Sequence, residues 1–223
     1  VINSGSSSLK FQLIQMPAGK VLASGLIERI GLEGAKLHYK SEKHSVSNEI
    51  PMPDHAVALK SVTELLMDAE NGVIKDASEI PAIGHRVVHG GESFSQTILI
   101  DEKVKEKIKE NFSLAPLHNP PNLKGIEVAE KLFPNSKQVA VFDTAFHRSI
   151  PESATRYASP PEFYEKHHIQ LYGFHGTSHK YVSEKAIDYL GKKNSKLISI
   201  HLGNGCSITA IRDGKSIDHS LGF

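Results

Sequence analysis

The sequence has 223 residues, with 26 Lys and Arg against 25 Asp and Glu, a formal net charge of +1; 39% of residues are hydrophobic and 23% charged. That balance excludes an intrinsically disordered chain, and the near-zero charge removes the electrostatic case for a dedicated nucleic-acid or membrane-surface binder. A single cysteine, Cys206, excludes an internal disulfide framework and a multi-cysteine zinc site. No apolar run approaches the roughly 20 residues a membrane span needs, and no signal peptide precedes the first strand, so a cytoplasmic protein is expected. At roughly 150 residues per domain, the length predicts one large domain or one and a half small ones.

In chain order, Val1-Ile2 runs into a Gly/Ser turn, Phe11 to Ile14 reads as a strand, Pro17 to Lys20 turns the chain, and Val21 to Ile27 forms a further strand. Asp54 is the expected N-cap of a helix reaching about Glu70, with Val57, Val62, Leu65 and Leu66 on one face. Ile83 to His89 reads as a strand ending in Gly90-Gly91. Asp101 caps a charged helix to about Asn111, Pro121-Asn122 opens another, and Val139 to Phe142 is a short apolar strand. Strands alternating with helices predict α/β layering. Beyond Pro151 the pattern loosens: Pro160-Pro161 starts a short helix, and Thr177 or Ser178 caps a longer one through Tyr181, Ala186 and Leu190.

The last stretch repeats the first. Leu197 to Ile200 is a strand, Gly203-Asn204-Gly205-Cys206-Ser207 a Gly-rich turn, Ile208 to Ile211 a strand, and Arg212 to Lys215 a hairpin turn leading into another strand. The opening has the same order of strand, Gly/Ser loop, strand, Gly-Lys turn and strand. This predicts domain duplication, with a first domain over 1–146 and the first part of a second over 147–223, the second copy incomplete in this chain.

Several motifs carry candidate chemistry. Asn3 to Lys10 places a flexible Gly/Ser loop between two strands with a lysine at its far end: glycine turns backbone N–H groups toward an anion, hydroxyls add donors, and lysine adds a point charge. It is not a Walker P-loop, because a strand and not a helix follows. His201 to Gly205 makes a second such loop. In Gly84 to Gly91, Arg86 offers a two-pronged guanidinium to a carboxylate or phosphate, with Val88 beside it as an apolar wall on the same strand face. Asp143 directly follows an apolar strand, where a carboxylate suits a metal or catalytic ligand. Tyr172 to His179 sets His175 between aromatic and glycine residues before a helix N-terminus, facing either a plain capping role or an anion. Its H-x-x-x-H spacing is a poor zinc site, lacking the metalloprotease glutamate and with Gly176 where helix is required. Leu114 to Asn122 reads as a stiff proline loop holding Leu117 and His118. Cys206 and Phe146 read as packing residues.

Together these residues resemble the acetate kinase family, through Val1–Lys10, Gly84–Glu92, Ala115–Asn122, Val141–His147, Tyr172–His179 and His201–Ser207. The resemblance implies an α/β fold of duplicated actin-like (ribonuclease H-like) domains closing around a nucleotide. It implies reversible transfer of the ATP γ-phosphoryl group to acetate, giving acetyl phosphate and ADP, with Mg²⁺ (or Mn²⁺). By motif, Asn3 is assigned near the metal; Ser6, Ser8 and Lys10 to the first phosphate loop; and His201, Leu202, Gly203, Asn204 and Gly205 to the second. Arg86 is assigned to the acetate carboxylate, with Val88, Leu117 and Phe174 walling its methyl group. Asp143 is the family's catalytic carboxylate and His175 its transition-state stabiliser. Members are typically homodimers. The family continues beyond this stretch into a Gly-rich segment with a further catalytic arginine, an adenosine pocket and an acidic metal ligand.

A carboxylate nucleophile is already ionised at pH 7, so attack needs no general base, and Asp143 is left to organise Mg²⁺ or polar contacts. Catalysis then reduces to in-line positioning and charge neutralisation. Three other readings stay open: propionate as the acceptor, an actin- or Hsp70-like nucleotide switch without acyl transfer, and a metal-dependent hydrolase using the many histidines.

Overall fold

The structure, a computed structural model, describes residues 1–222. The chain divides into two compact units, one of Val1–Val87 with Ile98–Ala140, the other of Val88–Thr97 with the chain from Val141 onward.

In the first unit, β1 (Ile2–Ser4), β2 (Ser8–Gln15), β3 (Lys20–Glu28), β4 (Lys36–Ser41) and β5 (Ser45–Glu49) form an antiparallel run. On the other side β1 meets β6 (Ala82–Val87) in parallel, and β7 (Ile98–Leu99) and β8 (Lys137–Phe142) complete an eight-stranded sheet of order β5-β4-β3-β2-β1-β6-β8-β7. Helices α1 (His55–Leu66), α2 (Glu102–Glu110) and α3 (Asn119–Leu132) belong to the same unit, α3 packing on β1 and β6 and on both other helices. Leu59 and Val62 of α1 and Val128 and Ala129 of α3 join Ile2, Leu9, Ile27 and Ile83 in the core.

β4 and β5 lie outside the expected elements, although β4 carries the alternation: Leu37 and Tyr39 are buried between exposed Lys36 and Lys40. The Asp54 cap is present, its carboxylate accepting from Ala56 N and Val57 N at 2.8 and 2.9 Å. The helix is shorter than expected, because the Asp68 carboxylate takes the N–H groups of Glu70 and Asn71 into a turn that cannot propagate. Its buried face is His55, Ala58, Leu59, Val62 and Leu66, and Val57 points outward.

The second unit contains α4 (Glu152–Thr155), α5 (Glu162–His167) and α6 (Gly176–Leu190), and a sheet β9 (Lys196–Leu202), β10 (Cys206–Arg212), β11 (Lys215–His219) in the order β11-β10-β9, all antiparallel. Helix α6 packs on β9, and a 3-10 turn, Ala145–Ser149, packs on β11. This meander matches β1-β2-β3, so the repeat read in the sequence is present as structure in an α/β fold. Hydroxyl side chains, together with Ile211, fill much of the buried face of this sheet. Ser199, Ser207 and Thr209 are buried, whereas Ile198, Ile200, Leu202 and Ile208 are exposed, with Ile208 opposite Ile200 in the register. Cys206 is likewise exposed, not packed as expected, because odd and even positions of β10 take opposite faces.

Candidate functional site

In the first unit the Gly/Ser loop joins β1 to β2. It is closed by Gly5 N donating to Ser8 O (2.8 Å) and pinned from two sides: His55 Nε2 donates to Gly5 O (2.7 Å), and Asn122 Nδ2 to Ser4 O (2.5 Å). The register then does the positioning. Asn3 stands opposite Lys10, and the Ile2–His85 pairing brings Arg86 alongside Asn3. These three side chains share the sheet face opposite buried Ile2, Leu9 and His85, and Arg86 Nη1 makes a long contact, 3.5 Å, to Asn3 Oδ1. Ser6 is exposed and Ser8 half-buried at the loop. The guanidinium, ammonium and hydroxyls form a cationic donor set suited to oxyanions.

The proline stretch is not a loop. Pro120 and Pro121 occupy the first turn of α3, where a missing N–H costs nothing, and Leu117 just before it is 72% exposed. Strand β6 ends at Val87, so Val88 does not share a strand face with Arg86; it lies buried in the second unit.

The second unit brings Asp143, His175 and the turn after β9 together. Asp143, 2% exposed, follows β8 directly; its carbonyl accepts from Gly176 N at 2.9 Å and its Oδ1 from Thr177 Oγ1 at 3.3 Å. Helix α6 therefore starts against Asp143, and a Cβ on Gly176 would sit 2.2 Å from that carbonyl oxygen. The expected Thr177 or Ser178 cap is replaced by His175, which takes the N-cap position in a left-handed conformation (φ 57°) and makes no side-chain cap. Gly176 is the first helical residue, contrary to expectation, but His175 stands outside the helix in its left-handed conformation, and the metalloprotease glutamate is still missing from the H-x-x-x-H spacing. Among the described residues no group of three His, Cys, Asp or Glu side chains converges as a metal site.

The His175 ring stacks on His201 (centroids 4.2 Å, 20° between planes), and its Nδ1 pairs with Ser207 Oγ at 2.9 Å. Its Cε1–Nε2 edge faces Gly205, where a Cβ would lie 3.0 to 3.1 Å from the ring. The bare backbone of Gly203 and Gly205, closed by Gly203 N to Gly205 O at 3.0 Å, leaves a cradle beside the imidazole, and Leu202 and Asn204 are exposed on it. His201 is oriented by Ser178 Oγ at 2.9 Å.

Behind these residues lies a layer that the sequence reading missed. Phe174, half-buried and edge-on to His89 at 5.7 Å, is clamped through its backbone. A carbonyl can only accept, so His147 Nε2 donates to Phe174 O (3.0 Å) and its Nδ1 accepts from Ser216 Oγ (2.9 Å). Phe174 N donates to His219 Nε2 (3.0 Å), so His219 carries its proton on Nδ1, toward Thr209 Oγ1 at 2.7 Å. His179 pairs with Ser199 (2.9 Å) and Ser207 (2.8 Å). Burial holds all three rings neutral, lowering His147 and His179 to about 4 and His219 to about 3, with repulsion among the neighbouring imidazoles adding to it.

The chain matches the family described as "Acetokinase family" over residues 1–223. It is 60% identical over 223 residues to an acetate kinase of Flavobacterium johnsoniae and 55% identical over 227 residues to one of Thermotoga maritima, in each case covering all of this chain and 56% of the relative. Among solved structures, it is similar to the acetate kinase of Porphyromonas gingivalis (TM-score 0.94, 48% identity) and to a propionate kinase of Francisella tularensis (TM-score 0.92, 45% identity), covering 99% of this chain and 56% of theirs. The chain thus spans about half the length of the relatives it matches. On the match across all its residues, the chain belongs to the acetokinase family.

Proposed function

We propose that the protein to which this chain belongs phosphorylates a short carboxylic acid, acetate, at the expense of ATP, reversibly, giving acetyl phosphate and ADP. The observation that carries the reading is the cluster of Asp143, His175 and the Gly203–Gly205 turn within one unit of a chain of this family. In the reaction a carboxylate oxygen forms the new bond to the γ-phosphorus while the bond from that phosphorus to the β,γ-bridging oxygen breaks, its electron pair leaving on ADP. The acceptor is ionised at neutral pH, so no proton has to be removed.

Arg86 would take the acceptor's carboxylate in a two-pronged contact, and Val88, Leu117 and Phe174 are proposed as the apolar wall for its methyl group. Ser6, Ser8 and Lys10 would hold phosphate oxygens, as would the backbone of His201 to Gly205. His175, set at the edge of that turn, would donate to the transferring group as its charge redistributes. Asp143, held by Thr177 and the start of α6, would order the polar contacts around it.

The described residues do not fit a resident metal: Asn3 supplies one amide oxygen, and that oxygen already faces the Arg86 guanidinium. A divalent cation accompanying the nucleotide would be held chiefly by phosphate oxygens and water, with Asn3 as its one protein contact proposed here. No helix among the described residues is long and apolar enough to cross a membrane. A cytoplasmic homodimer, acting on acetate and ATP and on neither nucleic acid nor membrane, completes the proposal.

The test is ³¹P NMR of the protein from its complete gene with Mg-ATP and either acetate or propionate. An acyl-phosphate resonance that appears only with carboxylate supports the kinase, and the two initial rates rank the acceptors, propionate being the specific rival because a structural relative is named for it. ADP and free phosphate regardless of carboxylate would overturn the reading in favour of a nucleotide switch or hydrolase.

A further inference from the structure

The structure assigns Ser207 as a positioning residue, whose single hydroxyl is shared between His175 and the buried His179 and ties the proton position on one ring to that on the other. Ser207 is 1% exposed on β10; its Oγ lies 2.9 Å from His175 Nδ1 and 2.8 Å from His179 Nε2. A hydroxyl has one proton to donate, so it cannot serve two bare ring nitrogens at once. When Ser207 donates to His175 Nδ1, His179 must donate from Nε2, and a neutral His175 then carries its proton on Nε2, the edge facing the Gly205 turn. When His175 carries a proton on Nδ1, Ser207 turns its own proton to His179 Nε2, and His179 must hold its proton on Nδ1, toward Ser199 at 2.9 Å.

The second ring accepts this change because it stays neutral. His179 is fully buried, and burial lowers it to about 4, so near neutral pH it switches tautomer without gaining charge. Proton gain at His175 Nδ1 is thus balanced along the row: Ser207 passes its proton to His175, His179 Nε2 passes its own to Ser207, Ser199 passes its own to His179 Nδ1, and a proton from solvent replaces it on Ser199. The arrangement leaves the Nε2 edge of His175 able to carry a proton in both the neutral and the cationic form of the ring.

The activity arm of the test rests on the kinase reading; the spectroscopic arm does not. In the complete protein with ¹⁵N-labelled histidine, Ser207→Ala should shift the His175 Nδ1 and His179 Nε2 resonances together. It should lower kcat about tenfold while KM for the carboxylate stays within about twofold, the pattern for loss of orientation without loss of binding. Ser207→Thr, which keeps a hydroxyl on the strand, should restore both. His179→Leu, which removes the second partner of Ser207, should shift the His175 Nδ1 resonance, and it decides the coupling if Ser207→Ala does not fold; an unmoved resonance in a folded His179→Leu protein would overturn the assignment. Ring resonances and kcat unchanged in a folded Ser207→Ala protein would overturn the assignment, as would a folded Ser207→Thr protein that recovers neither. If the wild-type protein forms no acyl phosphate, the kinase reading fails by itself and the ¹⁵N shifts alone decide the pairing.

Discussion

Arg86 is half-buried on the sheet face opposite the core, so removing its side chain leaves the core packing of the strand in place. Arg86→Ala is therefore expected to keep the unfolding transition of the parent while turnover falls by orders of magnitude; near-normal turnover in acyl-phosphate formation would remove Arg86 from the proposed site. Gly176 is the opposite case. A Cβ there would meet the Asp143 carbonyl at 2.2 Å, a backbone atom that cannot swing aside. Gly176→Ala should cost about 1–3 kcal/mol in urea unfolding, with α6 displaced from Asp143. An unchanged midpoint would mean that the helix does not start against that carbonyl. His175, held at φ 57° without being glycine, stores strain of about 1–3 kcal/mol, which fits a residue fixed for a task.

Among the elements, the start of α3 is tied to the first loop through Asn122, which is 3% exposed and donates to the Ser4 carbonyl. Asn122→Ala should destabilise by about 1–3 kcal/mol, since it strips a buried carbonyl of this donor, and amide exchange in β1 should quicken first. Most elements were legible in the sequence because each carried its own local signal: the Asp54 and Asp101 caps, the Gly-rich turns and the apolar run Val139 to Phe142. Where the signal was tertiary, it failed. β5 has little alternation of its own and exists through pairing with β4. The end of α1 was set by one aspartate turning the chain, and the start of α6 by packing against Asp143. For the candidate site the motifs named Asp143, His175 and the turn at Gly203 to Gly205, which the second unit does gather. They could not show His147, His179 and His219, because buried imidazoles bonded to serines leave no spacing rule in a sequence.

At the scale of the whole molecule those histidines make stability depend on pH. His85, bonded to Gln138 Oε1 at 2.7 Å, and His147, His179 and His219 are all buried, and each titrates below its ordinary value, at about 4 for the first three and about 3 for the last. Their folded pKa values lie below the unfolded value of about 6.5, so the unfolded state takes up protons first as pH falls. The stabilisation is complete above about pH 6.5 and is lost progressively toward pH 4, by up to about 1.4 kcal/mol per pH unit for each histidine. The urea midpoint should therefore fall steadily from pH 7 to pH 5; a flat profile would show that these rings are protonated in the fold.

The hydroxyl side chains buried in the sheet of the second unit, Ser199, Ser207 and Thr209, have one consequence for anyone editing the gene. At these three positions, tolerance to substitution should run opposite to what hydropathy suggests. All three should reject leucine, which overfills a buried position and takes a hydroxyl partner from a buried imidazole. A saturation library of the complete protein scored for folding would show the hydroxyl residues as fixed columns, and a design program that replaced them with apolar side chains to enrich the core would dismantle the support of His175.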